Sequence, residues 1–275
     1  MIQPAVSQAL KNHRHHFEDE LFLRTPTGLQ ATSFTDKLVG EISPILDDLS
    51  AALNDRSGFD PSIVEETIRI ALSPNIASFL AGKVFDRVRA QSPAAGVHLT
   101  SWNAESLEDL VKGDLHFGVN LEIEQTPKEV MMQKLADDYF TCYVREDHPL
   151  AVADTLNLKD LVGLEFASLI IPDWNTRVTH IERLMKSSGY SVRVSFRSDQ
   201  SAAVTEVIRK TDMLYPASSF IDPQNLEGLR SFRVKLNNRY LTYPVNAYYH
   251  QKNRRNPLTL WLSDILGGLL VTNYS

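Results

Sequence analysis

The stretch Thr67-Ile68-Arg69-Ile70-Ala71-Leu72-Ser73-Pro74-Asn75-Ile76-Ala77-Ser78-Phe79-Leu80 changes its hydrophobic period at Ser73. Thr67 to Ser73 is rich in branched apolar residues and reads as a strand, whereas from Asn75 to Gln91 the residues Ile76, Phe79, Leu80, Val84 and Val88 recur at helical steps. Val97 to Trp102 is strand-like again, and strand, helix, strand in that order predicts a parallel α/β layer. Working outward, Ala104 to Lys112 reads as a short helix, with strands at His116 to Asn120 and Asp138 to Arg145. After His148-Pro149 the rhythm repeats: strand Leu164 to Ile171, helix Asn175 to Ser188 closed by Gly189, strand Ser191 to Ser198, helix Gln200 to Arg209 and strand Asp212 to Tyr215. A strand from Thr242 to Tyr249 and a helix from Pro257 to Leu270 complete the chain. Two α/β lobes follow, lobe I over 67–145 and 243–275 and lobe II over 146–242.

The residues before this region follow a different plan. Pro4 suits a first helical turn, and Ala5, Val6, Ala9 and Leu10 share one face of a helix running to about His16. The strand-like run Asp19 to Arg24, the turn Thr25-Pro26-Thr27-Gly28 and a return through Leu29 and Ala31 form a two-stranded wing, so 1–32 reads as helix plus wing. Over 33–58, Phe34, Leu38, Ile42, Ile45, Leu49 and Leu53 recur at steps of four and three, which predicts a long amphipathic helix to about Asn54. Some 22 residues at 1.5 Å each reach about 33 Å, and the seam serves either a dimer or a return onto its own chain.

The 275 residues exceed one ordinary domain, and the 43% apolar and 23% charged content describes a globular chain with real cores. One cysteine, Cys142, excludes an internal disulfide or a cysteine-only zinc site and suits a reducing, cytoplasmic setting. Its place between Phe140 and Val144 on one strand face reads as a small buried hydrophobe. No apolar run reaches membrane length, so no membrane is expected as a partner. The net charge of −6 argues against wholesale coating of nucleic acid yet leaves room for a small DNA-reading module. G-x-x-x-x-G-K-[ST], G-x-G-x-x-G and G-x-S-x-G are all missing, so neither a cofactor nor a catalytic residue is expected. His13-Arg14-His15-His16 lacks carboxylates at ligand spacing and reads as a solvated helix end.

Strand-to-helix junctions in α/β lobes expose backbone N–H groups to small polar ligands. Those junctions supply Ser73, Asn75, Ser101, Asn103, Ser168, Asp199 and Gln200, and Pro216 completes the expected effector set. For any one of the Ser and Asn residues, helix capping accounts for the position as well as ligand contact does. Carboxylates, amino acids and aromatic acids all fit such residues.

Gln3-Pro4-Ala5-Val6-Ser7-Gln8-Ala9-Leu10 resembles the recognition helix of LysR-type transcriptional regulators, and Asp19-x-Leu21-Phe22-x-Arg24 with Gly28 and Thr32 resembles that family's wing. Phe59-Asp60-Pro61 and Arg145-x-x-His148-Pro149-Leu150-Ala151 extend the likeness over the whole chain, the former toward the symbiosis-regulator and LeuO-like branch. The resemblance implies a partial winged helix-turn-helix, a dimerising linker helix and a two-lobed effector domain like periplasmic binding proteins. A small-molecule co-inducer would sit between the lobes, with double-stranded DNA and a second copy of the chain, in a homodimer or homotetramer, as partners. Gln3, Pro4, Ser7, Gln8 and Lys11 would face the major groove, and Arg24 and Thr27 the backbone or minor groove.

The family carries a first helix and a leading helix ahead of the recognition helix, some 30 residues that do not precede Met1 here. Either the start is drawn too late or the product is N-terminally truncated, and in the chain as given segment 1–16 is expected to be frayed or improperly packed and specific DNA affinity poor. Lys11, Arg14 and Arg24 balance Glu18, Asp19 and Glu20 over 1–32, which weakens phosphate attraction further. The alternative function is a truncated solute-sensing module without specific DNA binding; an α/β enzyme is a third reading.

Overall fold

The computed structural model describes residues 3–25, 28–54, 59–123, 125–171, 175–221 and 226–270, in two compact units that meet in sequence between Phe59 and Asp60. In the first, helix α1 (Gln3–Phe17) is followed by the hairpin of β1 (Phe22–Thr25) and β2 (Gly28–Ala31), with Phe22 opposite Ala31, and then by helix α2 (Ser33–Asn54). Glu18 and Leu21 adopt positive φ, which costs an L-residue roughly 1–2 kcal/mol. Asp19 offsets that cost. Its Oδ1 accepts from Leu21 N–H and from Thr32 Oγ1–H, both at 2.7 Å. Thr32 Oγ1 in turn accepts from Thr35 N–H at 3.2 Å, capping α2, while Thr35 Oγ1 donates to the Leu21 carbonyl at 2.8 Å. The apolar face of α1 is open at Ala9, which is exposed, and at Leu10, which is half-buried.

The second unit runs β3 (Thr67–Leu72), α3 (Pro74–Gln91), β4 (Gly96–Ser101), α4 (Ser106–Lys112), β5 (Phe117–Leu121), β6 (Val130–Tyr139), β7 (Thr141–Arg145), β8 (Thr155–Asn157), β9 (Glu165–Leu169), α5 (His180–Ser187), β10 (Arg193–Ser198), α6 (Ser201–Lys210), β11 (Tyr215–Ala217), β12 (Leu229–Leu236), β13 (Arg239–Tyr240), β14 (Thr242–His250) and α7 (Pro257–Leu270). Lobe I is a five-stranded sheet in the order β4-β3-β5-β14-β6, with β3, β4 and β5 parallel and β14 antiparallel to both its neighbours. The period-two pattern of β3 sends Ile68, Ile70 and Leu72 into a core with Ile76, Leu80 and Val84 of α3 and Leu262 and Leu266 of α7. Ala71 joins Trp102, Leu110 of α4 and Tyr248 in a smaller core. Lobe II holds the sheet β11-β7-β12-β13, with β8 on β12, and the parallel pair β9 and β10, which Phe166 bridges to Leu214 near β11. Its cores gather around α5 and α6. Cys142 is fully buried in the α5-side core, and burial pushes its thiol up.

Several boundaries move from the sequence reading. Residues 138–145 form two strands in different sheets: β6 pairs with β14, whereas β7 pairs with β11 and β12. The first crossing between lobes therefore falls at Phe140, five residues ahead of the 145/146 boundary, and the second falls at Leu241. Helix α5 begins at His180, not Asn175. Asn175 Oδ1 accepts from Ile171 N–H at 2.6 Å and its Nδ2–H donates to the Leu169 carbonyl at 2.8 Å, which holds that segment out of helix until the Thr179/Glu182 capping box starts one. The strand read at 212–215 lies at 215–217. β12 and most of β6 went unread.

A third tie between the lobes lies beside the crossings. The segment after β11 returns to lobe I, where Phe220 is buried among the residues of the larger core with its ring centroid 5.4 Å from that of Phe79. Phe220→Ala is expected to lower the unfolding free energy by roughly 3–5 kcal/mol, read from urea unfolding. A loss under about 1 kcal/mol would show that the ring is not a packed part of lobe I.

Candidate functional site

The carboxyl ends of β3 and β5 in lobe I face the end of β9 and the start of α5 in lobe II, and the space between is where an open α/β sheet binds ligands. A narrow inner chamber of about 30 Å³ lies against the crossings. Lobe I contributes Asn75, Leu121, Asp138 and Tyr243, and lobe II contributes Ser168, Asn175, His180, Pro216 and Ser218. Leu121, His180 and Tyr243 also line an outer pocket of about 540 Å³, whose walls include Leu107, Glu122, Ile123 and Arg183. A third pocket of about 290 Å³ lies between α3 and α6, with Asn75, Ser78, Thr205 and Arg209 on its walls.

Several of the chamber's ionisable groups titrate away from their ordinary values. Asp138 is 2% exposed, and burial pushes its carboxyl up from 3.8 to about 6 against the opposing pull of Ser218 and Ser219. Its Oδ1 accepts from Ser219 N–H at 2.7 Å and Ser219 Oγ–H at 2.8 Å, which ties the end of β6 to the segment returning from lobe II. Burial, helped by Arg183, lowers His180 from 6.5 to about 4, so its imidazole is neutral near pH 7. His180 Nε2 and the Tyr243 hydroxyl hydrogen-bond across the lobes. Burial and then Asp138 raise the Tyr243 hydroxyl, while Arg183 acts the other way.

Of the sequence-predicted effector residues, Asn75, Ser168 and Pro216 are brought together on the chamber wall. Ser73 lies just behind them, fully buried, with its N–H on the Val119 carbonyl at 2.8 Å and its Oγ without a hydrogen-bond partner among the described residues. Ser101 is exposed at the end of β4. Asn103 builds the turn into α4, its Oδ1 accepting from Glu105 N–H at 2.8 Å. Asp199 and Gln200 are exposed ahead of α6, with Gln200 Nε2–H on Asp199 Oδ1 at 3.4 Å. None of these last four lines the three pockets described. Asp138, Asn175, His180 and Tyr243 were missed; the only local signal was Thr179-His180-Ile181-Glu182, a capping box that marks where α5 starts. On the first unit, Gln3, Pro4, Ser7, Gln8 and Lys11 lie on α1 and Arg24 on β1, while Thr27 lies outside the described residues. Gln8 and Lys11 are exposed, and Gln8 Nε2–H donates to Asn12 Oδ1 at 3.1 Å.

Residues 63–270 match the LysR substrate binding domain. The chain belongs to the LysR-type transcriptional regulators. It is 24% identical to the HTH-type transcriptional activator NagR of a Ralstonia species, over 96% of this chain and 87% of that protein. Identity to the HTH-type transcriptional activator NahR of Pseudomonas putida is also 24%, over 97% of this chain and 88% of that one. The crystal structure of the probable transcriptional regulator PA0477 from Pseudomonas aeruginosa superposes with a TM-score of 0.64 at 23% identity, covering 98% of this chain and 88% of the other, which establishes the shared fold. The two lobes around the chamber are thus those of a LysR substrate binding domain.

The two shifted groups give this LysR domain opposite pH dependences. Asp138 binds its proton more tightly folded than unfolded, so its contribution is fully present below about 3.8 and is lost as pH rises through about 6, a change on the order of 3 kcal/mol. His180 binds its proton less tightly folded, so its contribution is present above 6.5 and is lost as pH falls through about 4. Asp138→Asn should therefore gain stability relative to the parent chain as pH rises from 4 to 6, and His180→Gln should gain relative to the parent as pH falls over the same range. Urea unfolding at pH 4, 5, 6 and 7 checks both, and parallel profiles for the two variants would contradict the assignment.

Proposed function

We propose that this LysR regulator senses a small molecule held between its effector lobes and answers by changing how it engages double-stranded DNA through α1 and the wing. The chamber between the lobes, which shares Leu121, His180 and Tyr243 with a pocket large enough for a metabolite-sized ligand, carries the reading. Asn75, Ser168 and Pro216 contact the ligand in this reading, with Ser73 behind them, and closure occurs about Phe140 and Leu241. Gln3, Pro4, Ser7, Gln8 and Lys11 face the major groove, with Arg24 and Thr27 on the backbone or minor groove. Such a protein works in the cytoplasm, and among the described residues no helix is long and apolar enough to cross a membrane.

A second copy of the chain joins along α2 in this reading. Ile45, Leu46 and Leu49 are 65%, 55% and 55% exposed, a stripe that would be an association liability unless covered. Leu38→Glu with Leu49→Glu should give monomers by light scattering, and an unchanged dimer or tetramer would sink the assignment to α2.

The central test pairs gel shift on the region upstream of the chain's own gene with ligand-dependent thermal stabilisation. An effector should raise the melting temperature and alter the shift, and Asn75→Ala and Ser168→Ala should each weaken its binding about fivefold, the worth of one hydrogen bond of about 1 kcal/mol. Stabilisation without any site-specific shift would leave a sensing module that does not read DNA. Ligand affinity indifferent to both substitutions would place the site elsewhere.

A further inference from the structure

Among the described residues, the inner chamber is lined by one carboxylate and four aromatic rings. Asp138 opens onto it together with Tyr139, Phe140, His180 and Tyr243, and among its described lining residues there is no lysine or arginine, Arg183 standing on the wall of the outer pocket. Three of the rings form a contiguous wall: His180 and Tyr243 meet edge to face with centroids 4.6 Å apart, Phe140 and His180 lie 5.8 Å apart, and Phe140 and Tyr243 lie 6.2 Å apart, whereas the Tyr139 ring meets Tyr240 and the Arg233 guanidinium. Asp138 is hydrogen-bonded by neutral donors, the serine groups, and no salt-bridge partner for it is found among the described residues. Near pH 7 the chamber therefore buries an anionic group without a matching cation among the described residues that line it, a state that a ligand cation relieves. Aromatic faces attract the same kind of charge through their quadrupoles, and the neutral imidazole adds no opposing charge.

Size restricts the chemistry further. About 30 Å³ holds one group little larger than a water molecule, whereas the outer pocket of about 540 Å³, which shares Leu121, His180 and Tyr243 with the chamber, holds a body of several carbons. Leu107, Ile123 and Pro244 make part of that outer wall apolar.

Resting on the reading of the cleft as the effector site, we infer that its ligand is an organic amine, whose ammonium head enters the chamber against Asp138 and the rings while its partly apolar body lies in the outer pocket. The charge of the head, not the shape of the body, then selects the effector.

Three probes that share one skeleton and differ in head group test this: phenethylamine, phenethyl alcohol and phenylacetate, each titrated calorimetrically into the full chain at pH 7.5. The amine should bind at least tenfold more tightly than the alcohol or the carboxylate. Asp138→Asn should cost the amine at least tenfold and leave the alcohol within about twofold. Tyr243→Leu, which removes a ring without touching the carboxylate, should weaken the amine severalfold, so the proposal stays open to test if Asp138→Asn folds poorly. A carboxylate that outbinds the amine, with its affinity reduced by Asn75→Ala or Ser168→Ala, would overturn the amine while leaving the cleft as the effector site. Failure of the amine to bind, or amine binding indifferent to both Asp138→Asn and Tyr243→Leu, would also overturn it. Binding of every probe indifferent to Asn75→Ala and Ser168→Ala would remove the cleft reading itself.

Discussion

Phe140 N–H donates to the Leu241 carbonyl at 2.9 Å, and this bond holds the two inter-lobe crossings side by side. On one side of it the ladder continues through Tyr139 opposite Thr242 in lobe I; on the other, Val234 N–H reaches the Phe140 carbonyl at 3.2 Å in lobe II. Two sheets thus run into each other through a pair of single residues, and the ends of β3, β5 and β9 meet over a chamber because of it. The Asp138 to Ser219 hydrogen bonds and the seating of Phe220 in lobe I add a tie close to that pair. These ties lie close to the crossings, where a hinge between two lobes is ordinarily found.

The same tie carries an energetic cost. Keeping a carboxyl at 2% exposure with only neutral donors costs on the order of 3 kcal/mol at neutral pH, a large fraction of the 5–15 kcal/mol that holds an ordinary domain together. An apolar residue at 138 would avoid the cost and would also lose the grip on Ser219. Groups whose titration is displaced cluster at sites where a chain binds or reacts, and here the raised carboxyl, the lowered imidazole and the raised phenol lie around one chamber between lobes. The residues that tie the lobes together at Asp138 and at the His180 to Tyr243 bond are thus also residues of the chamber wall.

Much of the fold was legible because its elements bury one face. α2 spans Ser33–Asn54 and α7 spans Pro257–Leu270, as their periodicity implied. β6 was not legible: Met131, Gln133 and Lys134 are exposed on an edge strand, where solvent imposes no alternation. The crossing at Phe140 was hidden because one unbroken β-like run, Asp138 to Arg145, serves two sheets, and local pattern carries no record of the partner strand. Asn75 and Ser168 could be named because strand-to-helix junctions advertise themselves, whereas Pro216 lies inside β11. Asp138, His180 and Tyr243 could not, since they come from three distant segments and acquire their character from burial that only the closed fold creates.

α2 and α7 also mark the limit of hydrophobic pattern as a guide to assembly. Each presents a leucine and isoleucine stripe at helical spacing, and nothing in the stripe says whose surface it will cover. Trp261, Leu262, Ile265 and Leu266 of α7 are buried against the sheet of their own lobe. Ile45, Leu46 and Leu49 of α2 stay open. The difference arises from what lies beside each helix: α7 follows β14 directly onto a formed sheet face, while the Asp19, Thr32 and Thr35 hydrogen bonds fix only the first turn of α2 against the wing. A helix of 22 residues, about 33 Å long, whose first turn is tied to the wing leaves Ile45, Leu46 and Leu49 uncovered, and hydrophobic spacing alone does not name the surface that would cover them.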